Sequence, residues 1–523
     1  MTNLDPREIK PRLTSGEEIA FLDVREYGQY GEGHPFFAVN LPYSRLELVA
    51  EARLPRKTAP VVLMDDGDGV AERAARRLSD LGYTDVSLCA GGAPGWEAAG
   101  FTLFKGVNLP SKAFGEVVEE VCHTPRLTAQ EFEARRAGGE RLVLLDGRTP
   151  AEFRKMTIPG SVSCPNAELG HRLPALVSDD ETPIVVNCAG RTRSIIGAQS
   201  LRNLGLKNPV YALENGTQGW ELAGFELERG ATRSYPQEIA PEAQARSREA
   251  AGRLRAEHAV PVVDRATLEA WRADGSRTLY VLDVRTEEEY AAGHLADARH
   301  APGGQLVQAT DQWVAVRGAR IVLTDDTGLR AASTALWLRA MGHDASVLDV
   351  DLGAEPGLTT EAPAEAAVPA TLPAVEPGGL ASLMGGGAAL VDLSPGMAYR
   401  DGHIAAARWG IRPRLGALGL APDRDIVLAA PADVAELAAK DLREQGCERL
   451  HRLTGSPDDW RAAGLDMAAT PETPADGDCI DYLFFVHDRH DGNLDAARGY
   501  LDWETGLIAQ MDAQESGVFR LGG

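Results

Sequence analysis

The stretch IVVNCAGRTRSIIGAQSL, residues 184–201, decides the fold: an apolar run turns through a short polar loop into a helix-forming segment. A buried strand handing over to a helix in this way is part of a β-α unit. Three other stretches repeat it, namely VVLMDDGDGVAERAARRL from Val61, IVLTDDTGLRAASTALWL from Ile321 and IVLAAPADVAELAAKDL from Ile426. Upstream of each lies a second apolar run that ends in Asp. These are FLDVREYGQYGEGH from Phe21, LLDGRTPAEFRKMT from Leu144, VLDVRTEEEYAAGH from Val281 and LVDLSPGMAYRDGH from Leu390. Three copies close on a tryptophan, Trp96, Trp220 and Trp460. Self-similarity at a fixed spacing marks tandem units, here of about 100 to 125 residues.

The alternation of β-branched runs with amphipathic segments predicts an α/β class, each unit a parallel sheet flanked by helices. The expected domains are 1–108, 109–232, 252–352 and 376–470, followed by a short helical C-terminal tail, 471–523. The Pro- and Ala-rich residues 353–379 read as an extended spacer, and the polar residues 231–258 as a helical connector. Sites in such sheets form where strand ends meet helix N-termini. The loop at Cys188 occupies that position.

At 523 residues the chain is too long for one core. Its hydrophobic content of 44% and charged content of 25% are ordinary for a soluble protein. No apolar run reaches membrane-spanning length, and MTNLDPREIKPRL lacks the apolar core of a signal peptide, so a cytoplasmic protein with no membrane partner is expected. The net charge of −24 argues against nucleic acid. Six cysteines without a CxxC pair give no disulfide or zinc framework, and no metal or cofactor is expected.

The D-x-R strand end, the G-H turn, the Cys-x4-Arg loop and the closing Gly-Trp resemble the rhodanese (thiosulfate sulfurtransferase) family. The pattern is similar to bacterial proteins with four tandem rhodanese-like domains. The resemblance implies that Cys188 is the catalytic nucleophile and holds sulfane sulfur as a persulfide, with Ala189, Gly190, Arg191, Thr192, Arg193 and Ser194 binding substrate. Related phosphatases use a loop one residue longer, so phosphate chemistry is the weaker reading. Many family members have Gly where Arg191 stands, so Arg191 is expected to face the substrate. From Thr182 through Leu213 there is no Asp or Glu, although the chain carries 77 acids, which suggests a local anion site. Two loop arginines favour thiosulfate or a similar anionic donor, with a thiol or cyanide as acceptor; a sulfur-acceptor protein is a further candidate partner. The alternatives are a 3-mercaptopyruvate sulfurtransferase, or a persulfide carrier or binding module loaded by a protein partner.

Opposite Cys188 the other copies place Asp65, Asp325 and Ala430, which cannot carry sulfane sulfur. Those repeats read as inactive scaffolds that shape or cover the second, and the Asp clusters as carboxylates capping the next helix. Asn166, Glu168 and Asn215 are candidate pocket residues. Asp146 and Arg148 are expected to form an internal salt bridge. The turn histidines His34, His294 and His403 read as structural, because the Cys188 copy has Thr157 there. Cys164 reads as a buried apolar residue. His487, Asp488, His490 and Asp491 lack a further ligand motif and carry no metal expectation.

Overall fold

A computed structural model describes residues 2–352, 355, 357–363 and 367–521. Part of the expected spacer (353, 354, 356 and 364–366) lies outside the described residues. Four five-stranded sheets follow one another along the chain. The first contains Thr2–Leu4, Ala20–Asp23, Val39–Asn40, Val61–Met64 and Val86–Cys89, which lie side by side in the order first, fifth, fourth, second, third. The other sheets, within 126–213, 262–348 and 374–453, repeat that order with parallel pairing throughout. The fourth strand is therefore central. In the second repeat it is Ile184–Asn187, paired with Val143–Asp146 and Val210–Leu213. All four of its residues are buried, because helices cover both faces of the sheet.

The Asp that ends the second strand is fixed in each sheet by a local partner. Arg25, Arg148 and Arg285 pair with Asp23, Asp146 and Asp283 at 2.6, 2.7 and 2.6 Å, all buried. In the fourth repeat Ser394 replaces the arginine and donates to Asp392. The turn histidines stack on tyrosines: Tyr30 on His34, Tyr290 on His294 and Tyr399 on His403. The second repeat exchanges both members, to Phe153 and Thr157, and Thr157 donates to Asp146 at 2.8 Å.

The first three repeats share one continuous core. One face of each sheet contributes to it, and so do Phe114 and Val118 of the connecting helix Leu109–Cys122. The expected connector is the helix Pro241–Glu257, which packs Leu254 into the same core. The fourth repeat has its own clusters. It meets the first through buried ion pairs of Arg412 with Glu47 at 2.6 Å and of Arg77 with Asp441 at 2.6 Å. The tail adds the helices Leu494–Thr505 and Ala513–Ser516, the second tied to the first repeat by Lys10 and Asp512 at 2.8 Å.

Repeats two and three are joined by a buried charge network. Arg330, wholly buried, reaches Glu168 at 2.8 Å, Glu289 at 2.5 Å and Asp326 at 2.7 Å. Arg172 bridges Glu168 and Glu289 at 2.7 Å each. Removing Arg330 leaves the buried Asp325 without its cation and Glu168 with Arg172 alone, and breaking a buried pair costs about 3–5 kcal/mol. Arg330→Met is therefore expected to lower the midpoint of urea denaturation markedly; an unchanged midpoint would show that the network adds nothing to stability.

Candidate functional site

The loop after Ile184–Asn187 brings Cys188 to the N-terminus of the helix Thr192–Asn203. Its thiol is 3% exposed and lies 3.1 Å from the Ser194 hydroxyl. The first turn of a helix has backbone N–H groups without partners inside the helix. Here the N–H groups of residues 189–194 have no acceptor among the described residues.

The other repeats show what such N–H groups hold. In the first, the Asp65 carboxylate accepts from the backbone N–H groups of Gly67, Gly69 and Ala71 at 2.9, 3.1 and 2.9 Å. In the third, Asp325 accepts from Gly328 and Arg330 at 2.6 and 3.0 Å. Burial pushes the Asp325 carboxyl up to about 6, against the pull of Arg330 and those N–H groups. Counted from the strand end, the donors to Asp65 correspond to Gly190, Thr192 and Ser194. In the second repeat Cys188 stands at the position of those carboxylates. The fourth has Ala430 followed by Pro431, which lacks an N–H altogether.

A second loop locks the first. Gly216, at φ +52°, sits so close that a Cβ would lie 2.2 Å from the Cys188 carbonyl oxygen, and Gly92 stands in the same relation to Asp65 at 2.3 Å. Thr217 N–H donates to the Cys188 carbonyl at 2.8 Å. The backbone and side chain of Gln218 both donate to the Ala189 carbonyl, at 3.0 and 3.1 Å.

The loop arginines are engaged. Arg191, expected to face the substrate, is turned away and pairs with Glu116 at 2.8 Å and with Glu119. The cause is the helix Leu109–Cys122, which lies across the loop and presents both acids. Arg193 faces the cavity but holds Glu152 through two bonds of 2.8 and 2.7 Å. Although burial pushes the Glu152 carboxyl up, the Arg193 charge holds it down to about 2. Thr192 donates to Glu504 of the tail at 2.6 Å. The acid-free stretch of sequence is thus not a free positive patch, because acids reach it from elsewhere in the chain.

The candidate pocket residues also fall behind the loop. The Asn166 amide donates to the Arg193 carbonyl at 2.8 Å, Glu168 belongs to the Arg330 network, and Asn215 caps Gly216–Leu222 in the left-handed region, φ +61°. None of the three lines the cavity at Cys188. That cavity, about 340 Å³, is walled instead by Glu152, Arg193 and Gln218 of the second repeat, Gln305, Gln308 and Trp313 of the third, and Phe485, Arg489 and Tyr500 of the tail. Sequence signals existed for two of these. Glu152 completes a Thr-x-x-Glu helix cap, and Gln218 follows the Asn-Gly turn of the second loop. The tail and third-repeat residues carry no pattern that would place them there.

Of the remaining groups, His490 is pushed by burial down to about 3, and His487 lies 3.2 Å from Asp488. Among the described residues, His171, Glu289 and Asp326 come close enough to share an ion, but Arg172 and Arg330 already hold the two acids.

A model of the rhodanese-like domain matches residues 5–99, 128–223 and 264–355. A thiosulfate sulfurtransferase from Pseudomonas aeruginosa, solved by crystallography, is 41% identical, with 99% of each chain covered and a TM-score of 0.90. A putative thiosulfate sulfurtransferase, SseB, from Mycobacterium tuberculosis is 26% identical over 193 residues, covering 31% of this chain and 65% of that one. The HTH-type transcriptional regulator Rv0324 of the same organism is 34% identical over 107 residues, covering 20% and 45%. The chain thus spans less than two thirds of these curated relatives.

The cysteines should separate by reactivity. Burial pushes the Cys89 thiol up to about 12 and the Cys164 thiol well above its ordinary range, so both stay protonated at pH 8. The thiolate is the nucleophile. Iodoacetamide at pH 8 is expected to alkylate Cys188 of the native protein ahead of both, as peptide mass spectrometry would read. Gly216→Ala, which drives a methyl into the loop, should slow that reaction selectively; an equal rate would mean that the loop geometry does not set the reactivity.

Proposed function

The chain belongs to the rhodanese-like family, and we propose that its second repeat is a sulfurtransferase that moves sulfane sulfur from thiosulfate or a similar anionic donor to a thiol or cyanide. The observation that carries this reading is the Cys188 thiol at the head of a loop whose N–H groups take no other protein acceptor among the described residues, set beside the corresponding loops whose N–H groups are taken by Asp65 and Asp325. Oriented N–H groups and a helix N-terminus stabilise a thiolate and, after transfer, the charged outer sulfur of a persulfide. The relative covering almost the whole chain is described as a thiosulfate sulfurtransferase, which supports the same reading.

The reaction proceeds in two displacements. The Cys188 thiolate attacks the outer sulfur of thiosulfate; the S–S bond breaks, its electron pair leaves with sulfite, and Cys188 becomes a persulfide. The acceptor, cyanide or a thiolate, then attacks the terminal sulfur and restores the Cys188 thiolate, giving thiocyanate or a new persulfide. Charge is conserved in both steps, and no oxidant is needed. The Ser194 hydroxyl, 3.1 Å from the sulfur, is placed to donate to it once it is a thiolate, and the two backbone bonds from Thr217 and Gln218 hold the loop in shape. The first, third and fourth repeats carry no thiol at this position and serve as walls and supports.

Cys188→Ala is expected to abolish thiosulfate:cyanide transfer without changing the far-UV circular dichroism. Thiosulfate treatment of the native protein should add about 32 Da, one sulfur atom, at Cys188, as a covalent nucleophile requires. Retained turnover in the variant, or an adduct on another cysteine, would overturn the assignment. Loading by a persulfide-bearing protein, with negligible turnover of thiosulfate, would instead favour the carrier reading.

A further inference from the structure

Resting on the sulfur-transfer reading, the geometry points to Arg489 as the residue that binds the oxyanion end of the donor, so that a segment outside the catalytic repeat completes the site. Three cations line the cavity at Cys188: Lys112, Arg193 and Arg489. Lys112 is paired with the fully buried Glu504 at 3.1 Å, and Arg193 with Glu152 at 2.7 Å. Arg489 has no carboxylate partner among the described residues. Its Nη1 donates to the Val486 carbonyl at 3.1 Å, and its buried Nε has no acceptor.

The guanidinium lines the same cavity as the Cys188 sulfur. It stacks over the Tyr500 ring at 4.5 Å, and the edge of that ring lies 3.0 Å from where a Cβ on Gly190 would sit, two residues after Cys188. The neighbouring acids are taken up elsewhere: Asp488 faces His487 at 3.2 Å and Asp491 faces Lys155 at 3.0 Å. The backbone around it is strained, with Val486 at φ +48° and Asp488 at φ +59°. A β-branched residue in the left-handed region persists only when its surroundings enforce it. A half-buried guanidinium without a counter-ion favours an anion, and its planar donor fork matches the face of a sulfonate-like group. With the outer sulfur at Cys188, the three oxygens of thiosulfate point to the side of the cavity that Arg489 lines.

The test compares donors of different charge in the full-length protein. For Arg489→Ala the KM for thiosulfate is expected to rise roughly tenfold or more, as for loss of a charge-assisted contact. The KM for cyanide, and for an uncharged organic trisulfide as donor, should stay within about twofold. Arg489→Lys should recover part of the thiosulfate affinity. An unchanged thiosulfate KM, or an equal rise for the charged and uncharged donors, would overturn the inference, the second outcome marking Arg489 as merely structural. The underlying reading fails separately: turnover of thiosulfate by Cys188→Ala would remove it, whereas an inactive Cys188→Ala beside an Arg489→Ala of native KM removes only the role of Arg489.

Discussion

The loop after the central strand of each sheet concentrates backbone N–H groups at a helix start, and that concentration must be answered by negative charge. The first and third repeats answer it from within, with the Asp65 and Asp325 carboxylates. The fourth removes part of it with Pro431. In the second repeat the thiol of Cys188 stands in that place, and the N–H groups of residues 189–194 have no other acceptor among the described residues. The first and third copies therefore report what the loop of the second favours: negative charge. A carboxylate fills the cradle permanently, whereas on the proposed mechanism a sulfur that cycles between thiolate and persulfide would fill it reversibly.

Around that cradle the chain balances its charges across repeat boundaries. Glu116 and Glu119 of the connecting helix hold Arg191, and Glu504 of the tail joins Thr192 to Lys112. The cavity at Cys188 is thus built by several segments of the chain and not by the second repeat alone. The second repeat supplies the sulfur and its loop, the third contributes Gln305, Gln308 and Trp313, and the end of the first repeat (Gly106–Asn108) and the tail line the rest. The shared core of the first three repeats and the Arg330 network fix these walls relative to one another.

The architecture was legible because it is written locally and repeatedly. Strand runs that end in Asp, helix caps and closing tryptophans recur in order, so the sheets and the exceptional status of Cys188 could be read from the chain. Roles that depend on distant partners could not. The acid-free stretch 182–213 suggested a local anion site, but acids that pair with its loop arginines lie before it, at 116, 119 and 152. Asn166 had the right chemistry for a pocket wall but spends its amide on the Arg193 carbonyl. Nothing in YLFFVHDRHDGNLDAARGYLDW, 482–503, announces that Arg489 and Tyr500 reach the cavity, because their placement depends on docking between segments some 300 residues apart.

The central claim is that the cradle occupied by carboxylate in the first and third repeats receives persulfide sulfur in the second. A crystal structure of the protein after thiosulfate treatment tests it most directly. The account predicts a terminal sulfur on Cys188 seated among the backbone N–H groups of Gly190, Thr192 and Ser194, as the Asp65 oxygens sit among those of Gly67, Gly69 and Ala71. A persulfide turned away from those N–H groups, or sulfur carried by another cysteine, would contradict it.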